Sequence, residues 1–346
     1  MKIIDLRSDT ITLPTDEMRR AMFEAEVGDD VYQEDPTTNR LEEISAKAMG
    51  KEAALFTTSG TQSNLIAVLA NTRHGDEIIL GDQAHMYWNE VGGAAALGGV
   101  SIRTVPNDED GQLDADEVKE AIRPKNIHYP VTTLLCLENT HNRCGGTVLT
   151  AAYTASIAKL AHDHELKVHL DGARIFNAAV ALGVDASELA GPVDSVCFCI
   201  SKGLSAPVGS LLCGSTEYIE RARKWRKMLG GGMRQIGIIA AAGIISLEKM
   251  VNRLAEDHKN AKYLASGLAR IPGIGIHPEK VQTNIVMFTP PDVISWSDFN
   301  KRMEARGVKL SHGIGKNIRA VTHCMVTVAD IDNALELIAA LVRELG

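Results

Sequence analysis

Val196-Cys197-Phe198-Cys199-Ile200 is an uninterrupted apolar run that delivers Ser201-Lys202-Gly203 to its end. Such a run reads as a buried strand, and a lysine at the end of one is unusual because an ammonium is costly to desolvate. The same desolvation lowers the amine's pKa and suits it to form an imine with an aldehyde. The competing reading is a strand-end lysine that points into water. Upstream, Val168-His169-Leu170-Asp171-Gly172-Ala173-Arg174 is a second apolar run, ending in a carboxylate. Asp171 could simply cap the next helix. Yet Asp ends one strand and Lys ends the next, and sites in open α/β sheets collect at strand carboxyl ends.

Working outward from these two runs, short apolar stretches alternate with helical periodicity through roughly the first 245 residues, the pattern of an α/β domain. The expected strands are Ala54–Thr57, Glu77–Leu80, Ile102–Val105, Thr133–Glu138, Val168–Asp171, Ser195–Ile200 and Ser210–Cys213. Helices are expected over Gln62–Asn71, from Asp114, and over Ala151–His164, with Ile157, Leu160, Ala161 and His164 on one face. A long helical region, Gln235–Leu268, links this body to a smaller one. There Asn284–Phe288 reads as a strand, Ser297–Arg306 as a helix, and the final helix starts at Asp330. The expected division is a large domain over 1–248, whose N-terminal segment packs on the other lobe, and a small α+β domain over 249–346.

Hydrophobic residues at 45% and charged residues at 23% are ordinary globular values. A net charge of −8 and a pI near 5.8 argue against nucleic-acid or anionic-membrane partners. The six cysteines form no CxxC pair and no zinc spacing; four lie in apolar stretches, as buried thiols of a reducing, cytoplasmic protein do. The N-terminus turns polar too early for a signal peptide, and the most apolar window, Gly237–Leu247, is too short to span a bilayer. No metal is expected.

Two further elements suit a phosphorylated, aldehyde-bearing aromatic cofactor. Phe56-Thr57-Thr58-Ser59-Gly60-Thr61 runs from strand to turn to helix, and backbone N–H groups at such a helix start can cradle a phosphate, although Ser-Gly-Thr turns are common. His85, beyond the next strand, could stack on a flat ring or act as a base, although a lone histidine usually does neither. A pyridoxal-phosphate site also needs an acid where Asp171 stands, to keep the pyridine nitrogen protonated.

Taken together the chain resembles the threonine aldolases, pyridoxal-phosphate enzymes of fold type I. The resemblance rests on Asp5-Leu6-Arg7-Ser8-Asp9-Thr10, Gly28-Asp29-Asp30-Val31-Tyr32, Ser59-Gly60-Thr61 and Glu138-Asn139-Thr140-His141-Asn142. It continues through His169–Arg174, Ser201–Ser210, Gly230-Gly231-Gly232-Met233-Arg234-Gln235 and Ile318-Arg319-Ala320-Val321-Thr322-His323. The resemblance implies an aspartate-aminotransferase-like α/β fold with a mainly parallel central sheet. Lys202 would carry the cofactor as a Schiff base, with Asp171 on its pyridine nitrogen and His85 on its ring. Ser59, Gly60 and Thr61 would hold the phosphate, and Arg234 would reach the cofactor from a neighbouring subunit. Ser8, Arg174 and Arg319 would grip the substrate carboxylate, Arg174 also touching the cofactor, with Glu90 and Tyr32 in the substrate set.

The implied reaction is retro-aldol cleavage of L-threonine or L-allo-threonine to glycine and acetaldehyde. The carboxylate clamp selects the Cα–Cβ bond by orientation. A base must take the β-hydroxyl proton, and three groups compete for that role: His85, His128, and Glu90 acting through a water. The nearest rival is serine hydroxymethyltransferase, whose run of threonines before the lysine is replaced here by Phe198-Cys199-Ile200-Ser201. An aminotransferase, a catalytically silent relative and a dinucleotide-binding protein are weaker rivals; the last lacks a GxGxxG after an early strand. The glycine loop before Arg234 predicts a homodimer at least, and a tetramer as a dimer of dimers.

Overall fold

The computed structural model describes residues 2–345. After a two-residue strand, β1 (Ile4–Asp5), the chain builds β2 (Ala53–Thr57), β3 (Glu77–Gly81), β4 (Ser101–Val105), β5 (Thr132–Glu138), β6 (Lys167–Asp171), β7 (Ser195–Cys199) and β8 (Ser210–Gly214). Strands β2 to β8 form one sheet in the order β2-β8-β7-β6-β5-β3-β4. Neighbours are parallel except around β8, which runs antiparallel to both β2 and β7.

This sheet is mostly parallel because its strands can be buried on both faces. Alternate side chains go to different cores. Ile79, Leu135, Leu137, Val168 and Leu170 pack with Ile157 and Ala161 of the helix Ala151–Asp163. Ile78, Leu80, Leu134 and Cys136 pack with Val68 of the helix Gly60–Asn71. Each fully buried aliphatic side chain contributes about 1.5–3 kcal/mol. His164, expected on the packing face of its helix, is instead the exposed capping residue, its ring bonded to the Leu160 carbonyl.

The second lobe holds β9 (Ile285–Phe288), β10 (Val308–Lys309), β11 (Ser311–His312) and β12 (Ile318–Val321). An antiparallel sheet runs β11-β12-β9, and β1 pairs in parallel with β10. Ile4 and Leu6 enter the same core as Leu264, Phe288, Ile331, Ile338 and Leu341. The Val321 N–H closes on the Leu6 carbonyl at 2.8 Å. The N-terminus is thus stitched to the C-terminal lobe, and this carries Ser8 and Asp9 to the boundary between lobes.

The single helical region expected over Gln235–Leu268 is two helices, Gly237–Ile245 and Leu254–Leu268, joined through a π turn at Ser246–Met250. Ser246 Oγ donates to both the Ala242 and Leu204 carbonyls, the kind of back-bonding that bends a helix. The bend lets Leu254 join the large core while Ala261 and Leu264 join the small one. Among the described residues no helix is long and apolar enough to cross a membrane.

Candidate active site

The register places Glu138 opposite Asp171 and Asp171 opposite Cys197, so β5, β6 and β7 end together. Lys202 lies just beyond that end. Its backbone carbonyl accepts from Thr12 Oγ1 at 2.7 Å and from the Ser205 N–H at 2.9 Å. Its ammonium finds no hydrogen-bond or ion-pair partner among the described residues.

Asp171 is buried, and its Oδ1 accepts the Ala173 N–H at 3.1 Å. Its Oδ2 accepts from Asn64 Nδ2 at 2.9 Å, and the same amide donates to Glu90 Oε1 at 2.8 Å. Asn64 Oδ1 then meets His169 Nε2 at 3.0 Å, so that nitrogen carries the proton and His169 Nδ1 accepts from Ser195 Oγ at 2.9 Å. Burial pushes His169 down to about 4, so the ring is neutral at ordinary pH. Burial works to raise the Asp171 pKa, but the nearby His85 and Lys202 charges and the Asn64 amide overrule it, and Asp171 stays ionised.

His85 opens the short helix His85–Trp88, and its backbone N–H donates to Glu138 Oε2 at 2.7 Å. Its Nδ1 lies 2.9 Å from Glu90 Oε1, and one polar atom each of His85, Glu90 and Asp171 lie within 4.8 Å of one another. Burial opposes protonation of His85, yet the Glu90 bond and the charges of Asp171 and Glu138 raise its pKa. Burial and the Asp171 charge raise that of Glu90. Since Glu90 Oε1 already accepts from Asn64, His85 Nδ1 is the donor and Nε2 is left as the basic nitrogen.

The lobe boundary brings a second group together. Arg174 Nε and Nη2 donate to the two oxygens of Asp9 at 2.8 and 2.6 Å, and Asn284 Nδ2 reaches Asp9 Oδ2 at 3.2 Å. Burial would raise the Asp9 pKa; the Arg174 charge and bonds, with Lys202 and Arg319, hold it well below the carboxylate range. Arg319 stands alongside, donating through Nη1 to the Arg7 carbonyl at 2.9 Å. Ser8 is next to Asp9 and accepts the Thr10 N–H.

Ser59 caps the helix Gly60–Asn71, its Oγ accepting the Gln62 N–H at 3.1 Å. The N–H groups of Gly60 and Thr61 find no acceptor among the described residues. A Cβ on Gly60 would lie 2.9 Å from Cys199 Sγ, so only glycine keeps this helix start close to the end of β7. Free helix-start amides, a buried ionised carboxylate, an unpartnered lysine and a flat imidazole at one sheet edge fit pyridoxal phosphate.

Three expected residues do not join this group within the chain. His128 is exposed in the loop before β5, at the opposite sheet edge from Lys202. Arg234 is exposed and bound to Asp29 at 2.8 Å, and its carbonyl accepts the Asp30 N–H from the turn that carries the exposed Tyr32. Conversely, Asp9, Asn64, Glu138, Asn142 and His169 join the site although no local feature of the sequence marks them for it. All but Asn64 sit within the motifs quoted above.

Residues 5–290 match the model of the beta-eliminating lyase family. Low-specificity L-threonine aldolase 1 of Arabidopsis thaliana is 47% identical, over 97% of this chain and 95% of its own length. The low specificity L-threonine aldolase of Escherichia coli strain K12 is 45% identical, over 94% and 95%. Among solved structures, Leishmania major threonine aldolase superposes with a TM-score of 0.82 at 19% identity, covering 98% of this chain and 99% of that one. The fold is that of the fold-type-I pyridoxal-phosphate enzymes. The chain belongs to the beta-eliminating lyase family, in its branch of low-specificity L-threonine aldolases.

Proposed function

We propose that this chain uses pyridoxal phosphate to cleave L-threonine, L-allo-threonine and related β-hydroxy-α-amino acids into glycine and an aldehyde, acetaldehyde from threonine. The observation that carries this reading is the meeting of Lys202, which has no partner among the described residues, and a buried, ionised Asp171 with Arg174 and Arg319, of which Arg174 pairs with Asp9. When bound, the cofactor supplies the electron sink for the bond that breaks. Lys202 would anchor it covalently, Asp171 would partner its ring nitrogen, His85 would pack on its ring, and Ser59, Gly60 and Thr61 would hold its phosphate. Arg174, Arg319 and Ser8 grip the substrate carboxylate and so set the orientation of the Cα–Cβ bond. His85 takes the β-hydroxyl proton at Nε2, with Glu90 fixing the ring at Nδ1; the 2.9 Å bond between them supports this dyad over His128.

The proposed domains are 1–248, with its N-terminal segment packed on the other lobe, and 249–346, and the protein works in the cytoplasm as a homodimer at least, assembled into a tetramer. Exposed Trp88 and Val91, close to His85 and Glu90, support a neighbouring chain covering the site. Arg234 and Tyr32, exposed and tied together, support their facing a neighbour's cofactor.

Purified protein should release glycine and acetaldehyde from both threonine diastereomers. Lys202→Ala should lose nearly all turnover while its circular dichroism stays unchanged, because it removes an anchor and no packing. Substantial aldolase activity in that variant would overturn the reading. Mixing inactive Lys202→Ala with inactive Arg234→Ala chains should restore one site per mixed dimer; demonstrated subunit exchange without recovery would exclude the shared site.

A further inference from the structure

The two clamp guanidinium groups converge on one amide oxygen. Arg174 Nη1 donates to Asn142 Oδ1 at 3.2 Å, and Arg319 Nη2 donates to the same atom at 2.9 Å. Asn142 is itself held, because its backbone N–H donates to Glu138 Oε1 at 2.8 Å. The other oxygen of Glu138 takes the backbone N–H of His85 at 2.7 Å, so one buried carboxylate positions both the clamp's acceptor and the imidazole.

The direct hydrogen bonds in this corner are uneven. Asp9 pairs with Arg174 through two bonds, whereas Arg319 donates only to neutral oxygens, those of the Arg7 carbonyl and Asn142, and feels the Asp9 charge without a bond to it. Its Nε is buried without an acceptor. Burial, with Arg174 beside it, pushes the Arg319 guanidinium down to about 10. An amide oxygen satisfies N–H geometry without cancelling a cation.

We propose that Asn142 is the resident acceptor that holds Arg174 and Arg319 converged, and that by staying uncharged it reserves their excess positive charge for the substrate's α-carboxylate. This rests on the reading of Arg174 and Arg319 as the carboxylate clamp. Asn142 is a positioning and specificity residue: the incoming carboxylate supplies the negative charge that the amide lacks, in the bidentate geometry that guanidinium groups favour.

The test places a carboxylate where the amide stands. Asn142→Asp is nearly isosteric and should occupy the clamp as an internal anion. The variant should keep the absorption of its bound cofactor and melt no lower than the parent. Its dissociation constant for glycine, read from the absorption change on titration, should rise about 100-fold, and the KM for L-threonine should follow with a much smaller change in kcat. Its preference for glycine over methylamine, the same amine without the carboxylate, should collapse at least ~10-fold, a change that a merely structural asparagine would not produce. Asn142→Ala should weaken glycine binding by roughly 10-fold. Undiminished glycine affinity in Asn142→Asp, or an unchanged glycine-to-methylamine ratio, overturns the proposal. If Asn142→Asp cannot hold cofactor, Asn142→Ala decides, and parental glycine affinity there overturns it. Arg319→Ala separates the two levels. If it leaves glycine affinity intact, the clamp reading fails; if it weakens glycine while the Asn142 variants do not, only the role of Asn142 fails.

Discussion

Two buried arginine–aspartate pairs in this chain sit in different surroundings. At the outer edge of the sheet, Arg226 donates to Asp30 at 2.6 Å and to the Phe56 carbonyl at 2.7 Å. Neighbouring Arg223 donates to Glu42 at 2.9 Å, and the other oxygen of Glu42 accepts the Phe56 N–H at 2.8 Å. Phe56 lies on β2, which has only β8 beside it, so its outward N–H and C=O have no strand to bond. The side chains close that edge, with two cations against two acids. At the proposed clamp, Arg174 and Arg319 hydrogen-bond to one acid, Asp9, and one neutral amide, Asn142.

The carboxyl groups register the difference. Burial raises the Asp30 pKa, and Arg226 only partly offsets it. Asp9, equally out of reach of water, is driven the other way by Arg174, Lys202 and Arg319. A buried ion pair is therefore not in itself a sign of function. On the proposed reading, the acids bonded directly, two for two arginines at the sheet edge and one for two at the lobe boundary, separate scaffold from site.

The largest expected effect comes from breaking the balanced pair. Arg226→Met leaves Asp30 buried and unpaired, and chemical denaturation should show a loss of about 3–5 kcal/mol, as for other half-broken buried pairs. Adding Asp30→Leu should recover most of it. Turnover per folded molecule should stay within about two-fold; a large loss of substrate affinity at full stability would erase the distinction drawn here.

Breaking the unbalanced corner should look different. Arg319→Ala should raise the KM for L-threonine by roughly 10- to 100-fold, the worth of a hydrogen bond to a charged group. It should retain cofactor and not lower the melting temperature, because it removes a partly buried cation that forms no ion pair among the described residues. Cofactor loss with an unchanged KM would assign this arginine elsewhere.

The smallest expected effect is a titration. In cofactor-free protein, histidine NMR should place the His85 pKa above 6.5, because Glu90, Asp171 and Glu138 face it. A pKa raised by folding contributes stability that is fully present below the unfolded value and is lost as pH rises through the folded one. Glu90→Gln should bring the pKa back down, because it removes the carboxylate bonded to Nδ1. An unshifted His85 in the parent protein would remove the electrostatic basis for the dyad.

Much of the large lobe was legible in the chain. The expected Ala54–Thr57 and Ser195–Ile200 fall within one residue of β2 and β7, because strands buried on both faces appear as apolar runs with polar ends. Asp171 and Lys202 were legible as a pair because parallel strands in register end at the same edge. Ser8 and Arg319 became candidates only through family resemblance. Nothing local marks a serine after a two-residue strand, or an arginine on β12, as neighbours.

Apolar periodicity and strand-end chemistry, both properties of short windows, therefore determined the fold class and the two residues nearest the proposed chemistry. Tertiary structure alone decided which polar side chains meet. Asp9 and Asn284 are 275 positions apart and touch because β1 joins the C-terminal lobe. Asn142 lies 32 positions from Arg174 and 177 from Arg319, and it binds both because β5, β6 and the small lobe converge at one edge. Tertiary structure also left His128 at the opposite edge of the sheet, and Arg234 and Tyr32 on the surface. The physical reason is one of range: burying apolar surface rewards a local pattern, whereas a hydrogen bond or an unbalanced charge exists only once distant segments are packed together.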